Sequence, residues 1–91
     1  MATYSERRQT LRTAIGQPGI VVAPSTYDAL SALLVQEAGF PAVHVSGSAV
    51  ARSFGCADVG LVTASEMVAV HERIVDAIDL PVVGKIGRAH V

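Results

Sequence analysis

Three short runs of small and β-branched residues, GIVVAP at 19–24, PAVHVS at 41–46 and LPVVG at 80–84, punctuate the chain, with helix-like stretches before and between them. Short runs that are nearly continuously apolar suit strands buried on both faces of a sheet, which is the situation of parallel strands. Parallel neighbours cannot be joined by a tight turn and need a crossover, usually a helix. The intervening stretches supply it. In TYDALSALLVQEAG, Leu30, Leu33, Leu34 and Ala38 recur at helical spacing before Gly39, behind a Ser25–Asp28 pair at capping-box spacing. Thr63 and Glu66 repeat that spacing ahead of a stripe of Met67, Val70, Ile74 and Ile78. A first helix is expected with Ser5 as N-cap, Leu11, Ala14 and Ile15 on its apolar side, and Gly16 as its stop. The order α-β-α-β-α-β predicts an α/β fold with a parallel sheet and right-handed crossovers. A (β/α) barrel and an open doubly wound sheet both satisfy it.

Composition narrows the setting. The chain has 91 residues, room for one domain at most, yet 51% are hydrophobic and only 16% charged. A globule this small needs a polar shell in proportion to its large surface, so the composition fits a segment housed in something bigger. A net charge of −1 without a basic run gives no electrostatic basis for binding nucleic acid or an anionic membrane. No apolar run approaches the length of a membrane span, and the N-terminus lacks the apolar core of a signal peptide. Cys56 is the only cysteine, which excludes a disulfide framework. A soluble protein of the cytoplasm is expected.

In both parallel architectures, sites form where strands end at their carboxyl edge. The second strand is the informative one. Side chains alternate along it, so Ala42, His44 and Ser46 share a face, and Ser46, Gly47 and Ser48 follow at its end. Gly47 allows close approach of a ligand to the backbone, and the two serines add hydroxyls. Ser and Gly are also ordinary turn residues, and from spacing alone the turn reading is favoured. For His44, packing and lining a substrate pocket are equally compatible with strand parity. The connection at 47–62 is the one long connection, with a helical turn expected at Ser48–Ser53 and then a loop, and long loops in compact domains tend to be functional. Asp58 lies within it; a turn-forming role is favoured over holding a cation or its water. Asp28 and Glu66 read as helix caps, and His71, on the stripe of Met67 and Ile74, as a packed histidine. Cys56 has no metal-ligand or nucleophile pattern around it.

Taken together, YDALSA at 27–32, AGFPAVHVSGSAVA at 38–51 and ADVGLVTASEM at 57–67 resemble the isocitrate lyase/phosphoenolpyruvate mutase superfamily, over about residues 11–84. The resemblance implies that 1–84 is the N-terminal portion of a (β/α)8 TIM-type barrel, about three βα units and incomplete. It implies a Mg2+-dependent lyase or decarboxylase for the parent protein. Such an enzyme breaks a C–C bond of a small 2-hydroxy or 2-keto di- or tricarboxylate through a pyruvate-type enolate, which the metal stabilises as a Lewis acid. Ser46 and Gly47 match the family's Ser-Gly, which holds the substrate carboxylate and an adjacent oxygen. Ser48 stands where Gly or Ala is common, and His44 where an aromatic such as Tyr is common. Asp58 matches the acidic residue that holds the metal, typically through water. Members usually associate as homo-oligomers.

After the third strand the family pattern continues D-A-D-T-G-Y-G, whose aspartates anchor the metal. Here Lys85, Ile86, Gly87 and Arg88 stand instead, and an ammonium in place of a ligating carboxylate repels a cation. The codons of a common sequencing-library adapter translate as Ile-Gly-Arg-Ala-His-Val, so residues 85–91 are expected to be a non-native tail. The isolated chain is accordingly expected to be inactive. Alternatives are a ketopantoate hydroxymethyltransferase-like or phosphonomutase branch, or a small non-catalytic module that binds carboxylates.

Overall fold

A computed structural model describes residues 2–57 and 62–84. They form an α/β unit in the order α1 (Tyr4–Ile15), β1 (Ser25–Thr26), α2 (Ala29–Glu37), β2 (Val43–Val45), α3 (Gly47–Ser53), α4 (Ala64–Ala77) and β3 (Val82–Gly84). The three strands make one parallel sheet in the order β1-β2-β3. Ser25 lies opposite His44 and Thr26 opposite Val45; across the other edge of β2, Val43, His44 and Val45 face Val82, Val83 and Gly84.

Local chemistry accounts for most of the boundaries, with several departures from the sequence-based expectations. Helix α1 is capped by Thr3, whose hydroxyl accepts the Glu6 N–H at 3.1 Å, and not by Ser5. Thr3 precedes Glu6 by the same three residues as Thr63 precedes Glu66, which brings a first-turn acid to the positive end of the helix. Helix α2 opens at Asp28, not Ser25. Asp28 Oδ1 accepts the Ser31 N–H at 2.8 Å while Ser31 Oγ accepts the Asp28 N–H at 3.2 Å, a reciprocal box in which serine replaces the usual Glu or Gln. The helix closes with Gly39 at φ +92°, a left-handed conformation that a side chain would strain. Thr63 and Glu66 form the expected box at the start of α4.

The first run, 19–24, does not become a strand; only Ser25 and Thr26 pair. Pro24, at the end of the run, has no N–H to donate across to β2, although its carbonyl accepts the His44 N–H at 2.9 Å. Ile20 is left 89% exposed. The apolar stripe expected for α2 also splits. Ala32 is fully buried and Leu33 and Val35 pack on the core, whereas Leu30 and Leu34 are 65% and 58% exposed.

The core holds Ala32 of α2, Val43 and Val45 of β2, Val50 of α3, and Met67, Val70, Ile74 and Ile78 of α4 and its cap. Helices α2 and α4 thus seal the sheet face that carries Val43 and Val45. On the other face, Ser25 and Val83 are exposed and His44 is half-buried. Helix α1 is tied on by Arg7, which is buried and donates from Nη1 to the Val75 carbonyl at 2.9 Å and from Nη2 to that of Ile78. These are among the carbonyls that the end of α4 leaves without helical partners, and a buried guanidinium is well matched to them.

Candidate functional site at the strand ends

The carboxyl ends of all three strands lie along one edge of the sheet, as parallel pairing requires. At β2 the backbone leaves the sheet at Ser46 and enters α3 at once. Ser46 donates its N–H to the Thr26 carbonyl at 3.1 Å, the last rung between β1 and β2. Its Oγ accepts the Ala49 N–H at 3.2 Å, so Ser46 is the N-cap of α3 and this segment is a helix start rather than a simple turn. Accepting that bond leaves the hydroxyl proton free to be given elsewhere. Ser46, Gly47 and Ser48 are all half-buried, and a Cβ placed on Gly47 meets nothing within 4 Å. No packing among the described residues demands glycine there, and the space beside it is open.

Beneath Ser46 on the same face lies His44. Its backbone is held on both sides: its N–H donates to the Pro24 carbonyl at 2.9 Å, and its carbonyl accepts from Thr26 Oγ1 at 3.0 Å. Thr26 is fully buried, and this bond satisfies its hydroxyl. The His44 ring reaches across to β1, with Nδ1 3.3 Å from Ser25 Oγ. The structure therefore brings His44, Ser46, Gly47 and Ser48 to one end of the sheet and adds Ser25, which the sequence placed at the end of the first run as a helix-cap candidate. Only pairing register could have joined it to His44, since the two are 19 residues apart. Asp58 lies outside the described residues, as do residues 85–91.

His71 is half-buried, as its place on the α4 stripe predicts. Its Nδ1 donates to the Met67 carbonyl at 2.7 Å, which leaves Nε2 buried and without a partner among the described residues. That ring lies against Gly84: a Cβ there would fall 2.0 Å from Nε2.

Among the described residues, no three His, Cys, Asp or Glu side chains come together as a metal site. The described strand ends offer hydroxyls, amides and an imidazole. A hard cation such as Mg2+ prefers carboxylate oxygens, so these residues do not by themselves make a Mg2+ site. No helix among them is long and apolar enough to cross a membrane.

A singly wound parallel sheet with its candidate site at the strand ends defines an α/β enzyme-type scaffold. Residues 11–88 match the family described as phosphoenolpyruvate phosphomutase, and the chain belongs to that family, within the phosphoenolpyruvate mutase/isocitrate lyase superfamily. Over 78 residues it is 41% identical to probable 2-methylisocitrate lyase 2 of Corynebacterium glutamicum, covering 86% of this chain and 25% of that protein. It is 38% identical over 80 residues to 2-methylisocitrate lyase of Bacillus subtilis, covering 88% and 27%. Among solved structures, phosphoenolpyruvate phosphomutase from Streptomyces platensis subsp. rosaceus superposes with a TM-score of 0.79 at 30% identity, over 84% of this chain and 26% of that one. The chain thus spans about a quarter of the length of the relatives it matches.

Proposed function

We propose that this chain is the N-terminal part of a longer lyase, which cleaves a C–C bond in a small 2-hydroxy or 2-keto di- or tricarboxylate. The observation that carries the reading is the identity to 2-methylisocitrate lyases across the segment that includes Ser46, Gly47 and Ser48. Ser46 and Gly47 bind a substrate carboxylate and the oxygen beside it, with the free hydroxyl proton of Ser46 and the open space at Gly47 suited to that role. Ser48 and His44 complete the lining. Mg2+, the cofactor implied by the resemblance, supplies Lewis-acid stabilisation of enolate charge when bound. Asp58 is the one residue of this chain matched to it, and its other ligands lie in the remainder of the parent.

In the parent, the sheet continues past β1 and β3 into a closed (β/α)8 barrel. Two features support this: successive strands are neighbours in the order β1-β2-β3, and the sealing helices lie on one face, as in barrels. A doubly wound sheet would put helices on both faces. Closure would also cover Ile20, Leu30 and Leu34. The parent is a cytoplasmic homo-oligomer. Residues 85–91 belong to the same proposal as a non-native tail, and genomic sequence read past codon 84 tests that part: the parent carries D-A-D-T-G-Y-G there.

The activity is tested by expressing the parent and assaying cleavage of 2-methylisocitrate and 2,3-dimethylmalate with Mg2+. Turnover of either acid supports a lyase. Turnover only of phosphoenolpyruvate to a phosphonate would place it in the mutase branch instead, a reading favoured by the superposition on a phosphomutase.

A further inference from the structure

We propose that Ser25 positions the His44 imidazole to read a second carboxylate of the substrate, so that the pair selects di- and tricarboxylates over monocarboxylates; this rests on the lyase reading above. The register sets Ser25 directly beside His44, on the sheet face that the helices leave open, and Ser25 Oγ approaches His44 Nδ1 at 3.3 Å. Neither Ser25 Oγ nor His44 Nε2 has another partner among the described residues. The bond can run either way. When serine donates, Nδ1 is the acceptor and Nε2 carries the proton, which is the tautomer that can donate to an anionic oxygen. The backbone bonds of His44 to Pro24 and Thr26 fix the base of the side chain, leaving the Ser25 contact to set the ring.

Spacing supplies the selectivity. His44 and Ser46 are two residues apart on one face, a separation of about 7 Å along a strand. An acid anchored at Ser46 by one carboxylate therefore meets His44 only with an oxygen several bonds away. A second carboxylate on a two- or three-carbon backbone spans that gap; pyruvate does not.

The test is made on the parent, well above the ordinary imidazole range of pH, with succinate and pyruvate as probes. Long-range proton–nitrogen correlation of His44 is expected to show the Nε2–H tautomer, and succinate but not pyruvate is expected to shift the Nε2 signal. Ser25→Ala is expected to erode the tautomer preference and to weaken succinate about fivefold to tenfold, the effect of one lost hydrogen bond, with pyruvate affinity unchanged. Ser25→Thr, which keeps the hydroxyl, should restore both. An Nδ1–H tautomer in the unaltered protein, or equal weakening of both acids by Ser25→Ala, overturns the inference. If both acids bind while the His44 signals stay still, the inference alone falls. If neither acid binds the unaltered parent, the lyase reading falls and takes the inference with it.

Discussion

Gly84 and His71 show what a single residue decides here. A methyl group on Gly84 would sit 2.0 Å from His71 Nε2, and the ring cannot swing freely because Nδ1 is bonded to the Met67 carbonyl. Gly84→Ala is expected to destabilise the parent by about 1–3 kcal/mol, the range for overpacking, in urea denaturation. Adding His71→Ala should recover most of the loss; a double variant no better than Gly84→Ala alone would mean that the clash lies elsewhere. Glu66 is a second case. Hydrogen bonding to Thr63, from the backbone N–H first and the side chain second, lowers its pKa below the ordinary carboxylate value, against a small opposing effect of desolvation. A depressed folded-state pKa means that the contribution is fully present above the unfolded value and is lost as pH falls through the folded one. Stability should therefore decline on acidification through the carboxylate range, and Glu66→Gln should flatten that part of the profile. An unchanged profile would contradict the box as its cause. The capping role of Glu66 was legible from its spacing to Thr63. The fit of Gly84 to His71 was not, because it joins a strand end to a helix 13 positions earlier and depends on how the two pack.

At the scale of elements, the alternation of runs and stripes carried α1, α2, α4 and a parallel sheet. It failed where pairing or burial depends on a neighbour. The run at 19–24 has strand composition, but Pro24 at its end has no N–H to give the sheet, and no residue of the run joins β1. Leu30 and Leu34 have helical spacing, but burial on α2 falls to Ala32 and Leu33, which face α4 and the sheet. Arg7 was equally invisible: nothing in an amphipathic first helix marks one arginine as the cap of another helix 68 residues on. Arg7→Ala removes two charge-assisted bonds and strands the carbonyls of Val75 and Ile78, so a loss of about 2–4 kcal/mol is expected in urea denaturation. Arg7→Lys should recover only part, since an ammonium cannot reproduce the two-pronged contact. Full recovery by lysine would show that charge alone matters.

For the whole molecule, the candidate site was legible to the extent that it lies in one strand end. Ser46, Gly47, Ser48 and His44 follow one another in sequence and stay together in space, whereas Ser25 arrives by register from another strand. The sheet leaves one face open with Val83 exposed on it, and Ile20 of the first run and Leu30 and Leu34 of α2 are exposed elsewhere. On the proposed reading, chemistry belongs to the longer parent and substrate recognition in part to this segment. The most direct measurement is kcat/KM for cleavage of 2-methylisocitrate or 2,3-dimethylmalate, compared for the parent, its Ser46→Ala variant and the 91-residue chain. Cleavage by the parent, a fall of about a hundredfold in the variant, as for a lost oxyanion donor, and none by the short chain are expected. Absence of cleavage by the parent, or activity in the short chain alone, would contradict the account.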